Sequence, residues 1–149
     1  MSAYNVARAK NGIDESKEAH HGDQEGVGYR CGAKSEIENL SVDEVKQEMA
    51  SGKAVIVDVR DKEERTQNGA IPGSQHVSRG MLEFAADPTL PYHKDFFQPD
   101  QRIILHCASG GRSALGAKVL KDMGYINVAH LETGFKGWKE AGAPIEQAS

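Results

Sequence analysis

Cysteine is scarce in this chain. Cys31 and Cys107 are the only two in 149 residues, too few for a disulfide framework. Positive charge is not in excess either. The 18 Lys and Arg are outnumbered by 22 Asp and Glu, giving a net charge of −4, which argues against general binding to nucleic acid or anionic membranes. No apolar run approaches the roughly 18 residues of a bilayer span, and the N-terminal stretch lacks the apolar core of a secretion signal. A reducing, cytoplasmic setting is therefore expected, where a singled-out cysteine is more often chemical than structural. There are no internal repeats and no low-complexity block. His20, His21 and Cys31 have neither a second cysteine nor the ligand spacing of a metal site, so no metal is expected.

What remains is the size of one domain, with 38% apolar residues and enough of them for a core. Residues 1 to about 35 mix Gly, Asn, Asp, Glu, Lys and His without a sustained period, and read as a flexible or loosely docked extension. Residues 36–149 read as the folded domain. Ser41 with Glu44 three residues on forms a capping box; Val42, Val45 and Met49 give a helical stripe, and Gly52 stops it. The run Ala54 to Val59 is β-branched, as in a buried parallel strand. A short helix follows from Asp61 to about Thr66, then a turn at Gly69 to Gly73 and a short strand at Gln75 to Val77. Met81 to Ala85 suggests a brief helix before a proline-bearing loop from Pro88 to Pro99. Ile103 to Leu105 reads as a strand, Ser113 to Met123 as a helix stopped by Gly124, Asn127 to Leu131 as a strand, and Gly134 to Ala141 as a closing helix. Strands alternating with helices predict an α/β fold, a parallel sheet covered on both faces. In such folds reactive groups gather at the carboxyl ends of strands.

Two segments fall at such ends, Asp58-Val59-Arg60 and Cys107-Ala108-Ser109-Gly110-Gly111-Arg112. The second sits between a strand and a helix. Its backbone N–H groups and the helix N-terminus form a cradle for negative charge, and the same field favours thiolate over thiol. Gly110 and Gly111 let the backbone curl without a Cβ clash. Arg112 at a helix start opposes the macrodipole, which points to a role for it as an anion clamp. Ser109 and Ser113 carry hydroxyls able to donate to a bound sulfur; Ser113 is equally suited to capping the helix. The pattern describes a nucleophilic cysteine acting on an anionic or sulfur-bearing substrate. Asp58 and Arg60 read as supporting residues, Asp58 holding a neighbouring loop and Arg60 pairing with Glu63 or Glu64. Glu63 and Glu64 themselves read as a solvated helix face. Strand alternation turns His106 away from Cys107. Arg79, Met81, Phe84, Tyr92 and His93 lie where they could wall the pocket.

Four stretches resemble the rhodanese family in its single-domain form: Val57-Asp58-Val59-Arg60; Gly69 to Ser74; Cys107 to Ser113; and Leu131 to Trp138. They occur in the family's order and span roughly Ile37 to Glu146. The resemblance implies a five-stranded parallel sheet flanked by helices, and sulfurtransferase chemistry through a persulfide on Cys107. The amides of Ala108, Ser109, Gly110, Gly111 and Ser113 would then hold the persulfide, with Arg112 on the anionic end of a donor. Implied partners are thiosulfate or a persulfide as donor, a thiol or cyanide as acceptor, and a sulfur-relay protein as a further possibility. No cofactor is called for. Ala70 stands where the family often has His, and Thr133 where a glycine usually stands. The rivals are a cysteine-dependent phosphatase or arsenate reductase of related fold and a non-catalytic rhodanese-like binding module. Tyrosine phosphatases share the His-Cys-x-x-Gly pattern of His106 to Gly110 but place five residues before their arginine, and here four separate Cys107 from Arg112. Binding modules commonly lack the cysteine.

Overall fold

A computed structural model describes residues 32–148. The extension expected at residues 1–35 therefore lies largely outside the described residues, as do His20, His21 and Cys31. Its last part, residues 32–36, is helical, and Ala33 is buried against the core. The elements then run β1 (Glu38–Leu40), α1 (Val42–Ser51), β2 (Ala54–Asp58), α2 (Lys62–Asn68), β3 (Gln75–His76), a 3-10 turn (Arg79–Met81), α3 (Leu82–Ala86), β4 (Arg102–His106), α4 (Gly111–Asp122), β5 (Val128–Leu131) and α5 (Gly134–Glu140). The five strands form one sheet in the order β1-β5-β4-β2-β3, with every pairing parallel.

Local chemistry explains the boundaries. Ser41 Oγ accepts the Glu44 N–H while the Glu44 carboxylate accepts the Ser41 N–H, and Gly52 closes α1 in the left-handed conformation at φ 74°. A second capping box, Asp61 with Glu64, starts α2. β2 and β4 are apolar on both faces because both faces are covered. On one side, Val57, Leu105, Leu120, Phe97 and Leu82 make a core under α3 and α4. On the other, Ile56, Ile104, Leu131, Phe135 and Trp138 make a second core under α1 and α5.

β1 is the strand that the residue pattern does not announce. Its three residues, Glu38, Asn39 and Leu40, are too few to show a period, and its place at the edge comes from pairing Asn39 with His130 of β5. Register puts Asp58 beside His106 and Leu105 beside His130. The segments leaving β2, β4 and β5 thus emerge together at the carboxyl edge of the sheet.

Candidate active site

Cys107 leaves the end of β4 and α4 begins four residues later, at Gly111. The helix was expected from Ser113, with Ser113 as a possible cap. Instead its N-cap is Gly110, which has no side chain to satisfy the first helical N–H groups. The cysteine does so. Sγ accepts the Gly110 N–H at 3.1 Å and the Ser113 N–H at 3.4 Å, occupying the place of a capping oxygen. Ser113, the third helical residue, turns its hydroxyl inward to within 3.5 Å of Sγ.

The loop's amides face Sγ because its carbonyls are taken from outside. Phe135 N–H donates to the Cys107 carbonyl at 2.8 Å and Lys136 N–H to the Ala108 carbonyl at 3.0 Å. Two glycines permit this approach. Gly110, at φ 102°, would drive a Cβ into the Glu132 carbonyl, and Gly134, at φ 67°, would drive one into the Ala108 carbonyl. Thr133, the departure from the family pattern, keeps an ordinary helical conformation, φ −87°. Its side chain fills the space that a Cβ on Gly137 would need. Ala70, the other departure, is fully buried and exchanges two backbone hydrogen bonds with Glu146.

Burial alone raises the Cys107 pKa. Hydrogen bonding with the Ser113 hydroxyl and from the Ser113, Gly110 and Ser109 amides outweighs it, and the net shift is downward. The thiol is 1% exposed. Ala108 is half-buried, Ser109 exposed, and Gly110 and Ser113 buried. Sequence reasoning missed His130. Its Nδ1 lies 2.9 Å from Ser113 Oγ and its Nε2 lies 2.7 Å from Asn39 Oδ1. Neither residue belongs to a motif; only the pairing of β1 with β5 brings them beside the loop.

Arg112 forms a two-pronged ion pair with Glu64, at 2.8 and 3.0 Å. Glu64, expected as part of a solvated helix face, is therefore committed to the loop, and its pKa is lowered chiefly by that bond. Arg60 is not its partner. Arg60 is buried and donates to both Asp58 oxygens, at the end of its own strand, and to the Gly69 carbonyl at 2.8 Å. Its guanidinium also lies 4.1 Å from the Phe135 ring centre. Arg65 adds a bond to Asp58 at 2.9 Å and reaches Ser74. Asp58 thus holds the 69–74 turn through two arginines. Burial opposes its ionisation, but the Arg60 bonds and the nearby positive charge hold its pKa at about 2.

His106 is fully buried on the Phe135 side of the sheet, stacked at 6.2 Å, with Nε2 3.7 Å from Asp58. Burial holds the pKa values of His106 and His130 down to about 4, below the roughly 6.5 of an exposed imidazole. The unfolded chain takes up protons there that the folded chain refuses, so stability is complete above about pH 6.5 and falls as pH drops toward about 4. Asp58 extends the loss below about pH 3.9 in the same direction. Thermal melts are expected to show a flat Tm near neutrality and a progressive fall only below about pH 6.5. A Tm unchanged down to about pH 4 would contradict the burial of these imidazoles.

A cleft of about 360 Å³ beside the loop is lined by Glu64, Ala108, Phe135, Lys136 and Lys139 among others. Met81, Tyr92 and His93 line a different cleft, which no residue of 107–113 borders. Phe84 stacks on Tyr92, and Arg79 pairs with Glu83. Among the described residues no three His, Cys, Asp or Glu side chains converge as a metal set would. No described helix is long and apolar enough to cross a membrane.

The family model for the rhodanese-like domain matches residues 41–141. The thiosulfate sulfurtransferase GlpE of Actinobacillus succinogenes is 33% identical over 95 residues, 64% of this chain and 78% of that protein. A putative sulfur carrier protein, YrkF of Bacillus subtilis, is 30% identical over 105 residues, 70% of this chain and only 52% of that protein. Among solved structures, a Rhodopseudomonas palustris protein of unknown function, described as a possible tyrosine phosphatase, is 49% identical. It superposes with a TM-score of 0.74 over 77% of this chain and 89% of its own.

Proposed function

This chain belongs to the rhodanese family, and from that premise we propose that it transfers sulfane sulfur through a persulfide on Cys107. The observation that carries this reading is the closure of the loop on a single sulfur atom. The Gly110 and Ser113 amides converge on Sγ itself, at 3.1 and 3.4 Å, and favour the thiolate. The Cys107 thiolate attacks the outer sulfur of thiosulfate, forming Cys107–S–S⁻ and releasing sulfite. An acceptor thiolate or cyanide then attacks the terminal sulfur, giving a new persulfide or thiocyanate and restoring the thiolate. This is covalent ping-pong catalysis. Transfer in GlpE, and the sulfur-carrier description of YrkF, agree in chemical class. A persulfide delivered by a partner protein would enter at the same step.

The description of the R. palustris relative as a possible phosphatase favours a second reading, phosphoryl transfer through the same cysteine. The loop argues against it. A phosphoryl group must sit beyond Sγ with donors directed to its oxygens, whereas here the amides converge on Sγ itself, and only four residues separate Cys107 from Arg112 where tyrosine phosphatases place five. Assays with thiosulfate plus cyanide and with an aryl phosphate separate the two. Thiocyanate formation without phosphate release is expected, and the reverse pattern would reject the sulfur reading.

Arg112 is the donor's anion clamp in this account, sharing its guanidinium with Glu64. Arg112→Ala is expected to lower kcat/KM for thiosulfate about tenfold to a hundredfold, the loss of charged hydrogen bonds. A neutral organic polysulfide donor should lose much less. Equal losses for both donors would remove Arg112 from donor binding.

A further inference from the structure

We propose that Ser113 and His130, both buried and oriented by the half-buried Asn39, form a proton relay for Cys107, in which the thiol proton passes to Ser113 Oγ as the Ser113 hydroxyl proton passes to His130 Nδ1. The inference rests on Cys107 being the nucleophile. Hydrogen-bond directions follow from the far end of the chain. Asn39 Nδ2 donates to the Lys34 and Ile37 carbonyls, at 2.8 and 3.2 Å. That fixes the amide and presents Oδ1, a pure acceptor, to His130 Nε2 at 2.7 Å. His130 therefore carries its proton on Nε2, and its Nδ1 is left to accept. Among the described residues, the donor beside Nδ1 is the Ser113 hydroxyl, at 2.9 Å. Ser113 has a single proton, and with Nδ1 nearer than the other acceptor, the Gly110 carbonyl at 3.4 Å, its lone pairs then face Cys107 Sγ, 3.5 Å away.

Both ends of the shift are fully hydrogen-bonded. At rest the chain runs S–H to Ser113 oxygen, Ser113 O–H to Nδ1, and Nε2–H to Asn39. After the shift the imidazolium donates from Nδ1 to Ser113 and from Nε2 to Asn39, and Ser113 donates to the thiolate. One proton has moved across each of the first two bonds, the Nε2 proton has stayed in place, and thiol plus imidazole have become thiolate plus imidazolium. Without the relay, a thiolate drawing the Ser113 proton would strand Nδ1 of a fully buried imidazole. Cys107 is itself 1% exposed, so water is poorly placed to take the proton.

The titratable groups facing His130 are few. Cys107 lies beyond Ser113 on the loop side, and the Lys34 ammonium, ahead of β1, disfavours the imidazolium. On the neighbouring strands its partners are Asn39 and Leu105, neither charged, and Glu132 on its own strand's end is exposed. Burial and Lys34 keep the imidazole neutral at rest. The thiolate is the nearby negative charge that raises its proton affinity, so the two groups titrate as a pair. His130 acts through Ser113 and is a positioning residue.

The test is the pH dependence of Cys107 alkylation by iodoacetamide, read by mass on the Cys107 peptide. His130→Gln is expected to raise the apparent thiol pKa by about one unit or more, slowing alkylation about tenfold below that pKa. Ser113→Ala should raise it too, and the double variant should raise it no further than Ser113→Ala alone. An unchanged or lowered pKa in His130→Gln, or additive shifts, would overturn the relay. Should His130→Gln not fold, nitrogen NMR of the wild-type imidazole decides. Neutral His130 protonated at Nε2 is expected, and the Nδ1-protonated tautomer would overturn the proposal. Neither experiment uses a sulfur donor or acceptor, so a protein inactive in sulfur transfer still gives an answer.

Discussion

Cys107→Ala is expected to abolish thiocyanate formation from thiosulfate and cyanide while the protein stays folded. Every step of the proposed cycle makes or breaks a bond at Sγ, and no other described residue offers a thiol. The loss should therefore reach the assay background, unlike the partial losses from removing a binding group. Structure sets the accompanying change in stability. Sγ packs in the core under α4 and accepts the Gly110 and Ser113 amides. Removing it orphans two buried donors, a destabilisation of about 1–3 kcal/mol for each. Cys107→Ser restores an acceptor and should recover part of that stability without recovering transfer. Measurable turnover in Cys107→Ala would place the chemistry elsewhere.

Asp58→Ala is expected to cost about 3–5 kcal/mol in urea unfolding, because it leaves buried positive charge uncompensated. Arg60 is 1% exposed and finds its counter-charge in Asp58, with Arg65 contributing a second contact. The effect should reach the active site by a short path. Arg60 lies over Phe135, whose N–H holds the Cys107 carbonyl outward. Loosening that contact frees the loop to turn its amides away from Sγ. A lowered thiol reactivity is therefore expected even where Asp58→Ala remains folded. A loss below about 1 kcal/mol would mean that this ion cluster is hydrated like a surface pair.

Much of this site was legible in the sequence, for reasons particular to each part. The β-branched run of β2, the capping box at Ser41 and the glycine-bearing loop after β4 are local signals, and each was read close to its observed position. α4 starts two residues before Ser113, which looks like a cap. The cap is the cysteine, a role invisible until the loop's curl returns Sγ over the helix end. The arginine pairings depart from sequence proximity for a similar reason. Sequence proximity suggested Arg60 with Glu63 or Glu64, but Arg60 lies inside and takes the buried Asp58. Glu64 reaches instead to Arg112, 48 residues away. His130 and Asn39 carried no signal at all. They stand 91 residues apart and meet because a three-residue edge strand, itself without periodicity, pairs with β5.

The central claim is that Cys107 carries sulfur, and intact mass tests it most directly. The purified protein is incubated with thiosulfate, freed of excess, and weighed beside Cys107→Ala. The account predicts a gain of one sulfur atom, about 32 Da, that disappears on adding cyanide and never appears in the variant. The contradicting result is a wild-type mass unchanged by thiosulfate and by a small-molecule persulfide alike, or the same gain in Cys107→Ala.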